Sequence, residues 1–131
     1  MKIRTDPLDK LFSEYIRRRA MRDVHGCERC LQGKTDYKQL QCSHFIGRGK
    51  KSVRWDEDNA AGLCMGCHTY FTAHPLEHVE WFKARLGDKF DLLLARTRTP
   101  AKFIDRSAIE LYLKEKIRQI DTDFKGVEID Y

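Results

Sequence analysis

The chain has 131 residues, 34% of them charged and 41% hydrophobic, a length that suits one domain with one modest core and excludes two independent ones. It has no apolar run near the ~20 residues of a membrane span, and its opening "MKIRTDPLDK" has no apolar leader segment, so a soluble, cytoplasmic protein with no membrane partner is expected. The net charge of +5 is uneven: residues 1–54 hold 14 lysines and arginines against 6 acidic residues, a net +8, while residues 55–131 hold 11 against 14, a net −3.

In chain order, Asp6 as N-cap and Pro7 at the first helical position predict a basic N-terminal helix over 7–23. Leu8, Leu11, Phe12, Tyr15 and Ile16 recur at helical spacing and mark its buried stripe. Arg17, Arg18, Arg19 and Arg22 crowd its end, where cations suit the helix dipole as well as they suit phosphate. His25 and Gly26 end the helix and lead into Cys27. "DYKQLQCSHFI" reads as a strand, "GRGKKS" as a basic loop and "NAAGLC" as a second strand. "MGCHTYFTAH" reads as a short helix stopped before Pro75. The remainder is helical: Glu77 to Leu86 closed by Gly87, then "DKFDLLLARTR" ending before Pro100. A last helix starts at the capping box Ser107-Ala108-Ile109-Glu110, with Ile109, Leu113, Ile117 and Ile120 on one face. The closing "DTDFKGVEIDY" is acidic and carries no motif. The fold class is therefore α+β in a single domain over 1–131.

Four of the five cysteines form two C-x-x-C pairs, Cys27/Cys30 and Cys64/Cys67, with 33 residues between the pairs. In an intracellular chain that pattern points to a structural Zn²⁺ rather than to disulfides, because each tight turn aims two sulfurs at one tetrahedral ion. Closing that long loop contributes folding energy to a small core. Cys42 stands apart and reads as a small buried apolar residue.

Between the pairs, His44 ends the first strand and His68 directly follows Cys67. Metal-assisted phosphodiester cleavage needs a base for water and a divalent ion for the charge on phosphate and leaving oxygen. Two histidines on facing elements supply both across one cleft, and a zinc site beside His68 would fix its position. His74 is six residues on, a rotation of roughly 240° on a helix, and so faces elsewhere. His74 reads as peripheral, and His25 and His78 as surface residues. For the basic half, a polyanion is the natural partner, since neutralised phosphates release counterions; a solvated basic face has the same composition.

The segments "CERC", "CSHF" and "DNAAGLCMGCH" resemble the HNH, or ββα-metal (His-Me finger), nucleases. More narrowly, "DKLFSEYIRRRA", "CERC", "SHFIGRG", "VRWDEDN" and "LCMGCH" follow the order and approximate spacing of the NinG/Rap family of phage recombination endonucleases, over residues 8–68 and more weakly through "EWFKARLG". The resemblance implies a zinc-stabilised, treble-clef-like ββα-metal core at 27–74, flanked by the basic helix, a helical part at 75–121 and a tail at 122–131. It implies His44 as the general base, Asn59 as the brace of the strand connection, and His68 as the helical ligand of a catalytic Mg²⁺ or Mn²⁺. Arg48 matches the arginine of the family's "HF-x-x-R" segment, where a guanidinium can grip a phosphate bidentately. Cleavage would leave a 5′-phosphate and a 3′-hydroxyl. The expected partner is duplex or branched DNA, contacted by Arg17, Arg18, Arg19, Arg22, Arg48, Lys50, Lys51 and Arg54, and the expected setting is a bacterial cytoplasm with a phage or prophage gene.

One residue departs from the pattern: many HNH enzymes place aspartate before the base, and here Ser43 stands there. The ion would then be held by His68, water and substrate phosphate, which suits Mg²⁺ because it retains several waters. Asp56 and Asp58 are near enough in sequence to contribute, but read more simply as turn residues. Resolving a four-way junction needs two cuts, so a homodimer is economical and the Ile109/Leu113/Ile117/Ile120 stripe is a candidate interface, if it is not core. The competing reading is a zinc-stabilised nucleic-acid-binding module without catalysis.

Overall fold

In the computed structural model, which describes residues 5–129 and side chains as far as residue 122, the chain is α+β, mostly helical, with one two-stranded sheet. Residues 1–4 and the last two residues of the expected tail lie outside the described residues. Helix α1 (Pro7–Val24) starts as its sequence dictates. The Leu8 N–H donates to Asp6 Oδ1 at 2.9 Å, and Pro7 occupies a position whose N–H would have no helical partner. It ends on His25, whose left-handed backbone (φ 58°) does the work more often given to glycine.

Strands β1 (Gln41–His44) and β2 (Ala60–Leu63) pair antiparallel, Gln41 opposite Leu63 and His44 opposite Ala60. The first strand is shorter than predicted. Tyr37–Gln39 form a 3-10 turn because Asp36 caps it and the Gln39 side chain reaches back to the cap's own backbone, a local closure that competes with extension. The second strand is made of small residues, and α1 lies directly on it. A Cβ at Gly62 would stand 2.7 Å from the Cβ of Ala20, so this approach is open only to glycine.

Helix α2 (Met65–Ala73) follows β2 immediately and stops at His74, ahead of Pro75. Helices α3 (Pro75–Leu86), α4 (Lys89–Arg96) and α5 (Arg106–Ile129) complete the chain. Helix α5 begins ahead of the predicted capping box: Asp105 Oδ1, rather than Ser107, accepts the Ala108 N–H at 3.1 Å. The same helix runs through most of the expected 122–131 tail, to Ile129.

The single core expected from length divides into two apolar clusters with the fully buried β2 between them. Leu8, Phe12, Tyr15, Ile16, Trp55 and Ala60 pack with Leu113 and Ile120 of α5. Leu40, Val53, Leu63, Phe71, Phe82, Phe90 and Leu93 surround the cysteines on the other side. Helix α5 thus spends its apolar stripe on α1: Leu113 and Ile120 are buried, and Ile109 and Ile117 are partly buried in the same cluster. The stripe is intramolecular core rather than a free dimer surface. No helix among the described residues is long and apolar enough to cross a membrane.

Candidate metal centre and histidine cleft

Residues 27–33 form a tight knuckle. The Cys27 N–H donates to the Gln32 carbonyl at 3.1 Å and the Leu31 N–H to the Cys27 carbonyl at 2.9 Å. A Cβ at Gly26 would fall 2.0 Å from the Gln32 carbonyl oxygen, so the turn closes only on glycine. The second pair sits where β2 becomes α2, with Cys64 as N-cap: its sulfur accepts the Cys67 N–H at 3.4 Å. The sulfurs of Cys27, Cys30, Cys64 and Cys67 all lie within 4.8 Å of one another, and Cys30 and Cys64 are 3.8 Å apart. A tetrahedral ion with Zn–S bonds of about 2.3 Å requires sulfur separations of roughly 3.8 Å. The four-cysteine cluster fits a structural zinc ion.

The residues inside the first C-x-x-C also serve the site. Glu28 accepts the Gly62 N–H at 2.6 Å and Arg85 Nη2 at 2.7 Å, tying the knuckle to β2 and α3. Arg29 Nη1 donates to Cys67 Sγ at 3.4 Å, with its guanidinium 4.4 Å from the Tyr70 ring centroid. A cation there offsets thiolate charge. Leu31 is 62% exposed and carries a left-handed backbone (φ 63°), which costs a non-glycine residue about 1–2 kcal/mol. Leu31→Gly removes that strain and no buried contact, but adds chain entropy to the unfolded state. Its expected net effect is a gain of about 0.5–1 kcal/mol in the unfolding free energy of the zinc-loaded protein, read by denaturant titration.

On the other side of α2, His44 and His68 line one cleft of about 420 Å³ together with Asp9, Ser13, Gln41, Cys42, Gly47 and Arg48. The geometry of His44 is set by backbone: its Nε2 lies 3.0 Å from the Arg54 carbonyl oxygen. A carbonyl only accepts, so Nε2 carries the proton and Nδ1 keeps the lone pair. Burial, with Phe12 packed 5.5 Å away ring to ring, holds the His44 imidazole below its ordinary range and therefore neutral. Arg54 is itself anchored: Nε and Nη2 both donate to Asp9, which also takes the Trp55 indole N–H at 2.9 Å. The Arg54 guanidinium, then the Trp55 indole, keep the Asp9 carboxyl below the usual range although burial opposes them. Arg48, 61% exposed at the rim, reaches Asp9 at 3.6 Å.

Asn59 is fully buried and does not face the cleft. Its Nδ2 donates to the carbonyls of Ile46 (2.9 Å) and Val53 (3.0 Å), and its Oδ1 accepts the Ile46 N–H at 2.8 Å. One side chain thus spans both ends of the segment 46–53, which carries Arg48 and leads directly into Arg54. Ser43 is buried and does not line the cleft, since strand neighbours alternate in direction. Cys42, expected to be buried, is half-buried on the His44 side, and burial pushes its thiol up to about 12 against the nearby arginines, so it stays protonated. Asp56 caps its own turn and, with Asp58, is held by Arg96; neither carboxylate lines the cleft.

The arginines expected on DNA divide by environment. Arg19 is buried, donating to the carbonyls of Glu57 (2.9 Å) and Ala60 (2.8 Å), and so is a strut between α1 and β2 rather than a phosphate contact. Arg54 is committed to Asp9. Arg18 pairs with Glu14 and Asp121, and Arg22 with Asp23. Arg17 donates to the Ser13 carbonyl and lies 5.1 Å from the Tyr37 ring centroid. Arg48, Lys50 and Lys51 are exposed on the loop beside the cleft. His74 stacks on Tyr70, away from the cleft. His78 is not a surface residue: it is half-buried among Phe71, Phe45 and Phe82, and burial followed by the neighbouring His68 pushes its imidazole below the ordinary range.

Two participants escape a reading by sequence. Asp9 reads as an N-terminal acid that suits the helix dipole; only its place beside Leu8 and Phe12, at the edge of the buried stripe, hints at a second use. His78 reads as one more polar residue on an amphipathic helix. No protein-family model, curated protein or solved structure matches the chain. The fold and the sulfur cluster define the class of the molecule: a mostly helical α+β protein with a four-cysteine site that fits zinc.

Proposed function

We propose that the protein is a metal-dependent DNA endonuclease of the HNH (ββα-metal) type, built on a zinc-stabilised, treble-clef-like core and acting on branched or recombination-intermediate DNA. The observation that carries this reading is the meeting of His44 and His68, from β1 and α2, in one cleft with Arg48 at its rim. His44 has the features of a general base: neutral, oriented by a backbone carbonyl, and with Nδ1 free to take a proton from water. The donor set for an ion is sparse, because Asp9 is engaged by Arg54 and Trp55 and His68 is left as the ligand. That suits a hydrated hard cation, Mg²⁺ or Mn²⁺. When bound, such an ion would offset charge on the scissile phosphate and the leaving oxygen. Arg48 supplies the phosphate with a cation whose only charged partner among the described residues, at 3.6 Å, is easily exchanged.

Zinc-loaded protein with Mg²⁺ or Mn²⁺ is expected to cut four-way or linear duplex DNA to 5′-phosphate products, and His44→Ala is expected not to. Binding without cleavage by the wild type, over both ions and both substrates, would leave the second reading, a nucleic-acid-binding module. The single imidazole ligand and the burial of Ser43 are what favour that alternative.

The acid limb of the pH–rate profile follows from His44. Its folded-state value lies below the ordinary imidazole value of about 6.5. The neutral base therefore persists as pH falls through 6.5 and is lost only on passing the lower folded value. The midpoint of kcat/KM on the acid side is expected below about 6.5; a midpoint above it would assign the ionisation to another group. DNA binding has its own signature: Lys50→Ala/Lys51→Ala is expected to weaken binding to all sequences alike. It should flatten the dependence of log K on log salt by about 0.9 per lysine, and a loss confined to one sequence would make these lysines base readers.

A further inference from the structure

Helices α2 and α3 pack against each other as a hairpin and carry one imidazole each, His68 and His78. His68 Nδ1 and His78 Nε2 are both shut off from solvent, and neither has a hydrogen-bond partner. Among the described residues only one other buried side-chain nitrogen, Arg19 Nε, is in that state. Buried polar atoms without partners are uncommon because each forfeits its hydration. Phe71, one turn beyond His68 on α2, stacks on His78 with centroids 4.7 Å apart, and His68 follows burial among the causes that hold the His78 imidazole below its ordinary range. Phe45 and Phe82 meet the His78 ring edge-on at 5.9 and 5.1 Å, so its plane is fixed by aromatic walls. A phenylalanine would fill such a box at lower desolvation cost, so a histidine there calls for a polar role.

We propose that His78 is the positioning residue of His68: its Nε2 accepts the Nδ1 proton of His68, which turns the Nε2 lone pair of His68 toward the cleft. Forming the bond takes a rotation about χ2, a soft torsion. The proposal rests on the reading of His68 as the ion's ligand. Histidines that hold metals give their second nitrogen to such a partner, which selects the tautomer and the ring orientation. It also explains how a site with one protein ligand keeps that ligand aimed without a carboxylate beside it.

The test uses the full zinc-loaded chain, ¹⁵N-labelled, with neither DNA nor catalytic ion. Long-range ¹H–¹⁵N spectra are expected to show His68 protonated on Nδ1 alone; a wild-type His68 with its proton on Nε2 overturns the proposal outright. His78→Phe keeps the ring stack and removes the acceptor. Its His68 should lose the single tautomer, and Mn²⁺ binding, read by the EPR signal of free Mn²⁺, should weaken about tenfold or more at unchanged zinc content. His78→Gln, which restores an acceptor, should recover most of that loss. Unchanged tautomer and Mn²⁺ affinity in a folded His78→Phe protein would make the pair merely structural and sink the proposal; if that variant does not fold, the wild-type spectrum decides. Because the spectra require no cleavage, an inactive wild type with the expected tautomer would reject the nuclease reading and leave the positioning role standing.

Discussion

Replacing His44 with alanine is expected to lower the rate of DNA cleavage by about 10²-fold or more, the usual cost of losing a general base, while zinc content, fold and DNA affinity stay close to wild type. The selectivity follows from where the side chain stands. His44 is half-buried in the cleft, donates one hydrogen bond to a carbonyl and takes no part in the sulfur cluster. Its removal leaves the Arg54 carbonyl to water and forfeits part of one contact with Phe12, a loss on the scale of about 1 kcal/mol. Stopped turnover with intact binding would separate chemistry from recognition. Near-normal cleavage by His44→Ala would move the base elsewhere and remove the central element of the proposed mechanism. His68→Ala should abolish turnover as well, but with partial rescue at high Mg²⁺ or Mn²⁺, since substrate phosphate and water can hold a weakly bound ion.

Loss of the cysteine cluster should act on the fold itself. Cys27→Ser or Cys64→Ser is expected to release zinc and leave the chain largely unfolded, as read by circular dichroism and elemental analysis. Structural zinc contributes about 10–16 kcal/mol of binding energy to small domains, which matches or exceeds the 5–15 kcal/mol by which whole domains are stable. Here the sulfurs join the knuckle at 27–30 to the start of α2, and Cys27, Cys64 and Cys67 are part of the apolar cluster around them. Cys42→Ser provides the control. Its thiol lies outside the cluster and stays protonated, so zinc content and fold should be unchanged. Mild chelation should distinguish the two kinds of metal, removing cleavage that Mg²⁺ restores while about one zinc per chain remains. Active protein containing no zinc would sink the scaffold assignment.

Much of the architecture was legible because its causes are local. Asp6 and Pro7 start α1 through their own backbone chemistry, Pro75 stops α2, and two C-x-x-C turns announce a metal site whatever lies between them. The partial alternation of "DYKQLQCSHFI", the short run "NAAGLC" and the stop of "MGCHTYFTAH" before Pro75 were enough to order strand, strand and helix. Errors fell where a local competitor outweighed the pattern: Asp36 and Gln39 close a turn in the predicted strand, and Asp105 caps α5 before Ser107 can.

The meaning of individual charges was decided only in three dimensions. Four neighbouring arginines on α1 look alike in sequence, yet Arg19 is a buried strut on two backbone carbonyls while Arg17 and Arg18 lie over Tyr37. Asp9 becomes the anchor of Arg54, 45 residues away, and through it of the carbonyl that orients His44. The stripe on α5 fits a partner or a core equally well until α1 is seen to cover it. Phe71 and His78 meet because a helical hairpin folds back on itself, a closure that no spacing rule records. The physical reason is common to all four cases. Backbone geometry, caps and metal knuckles are set by neighbours in the chain, whereas the fate of a charge or an imidazole is set by which distant groups share its desolvated surroundings.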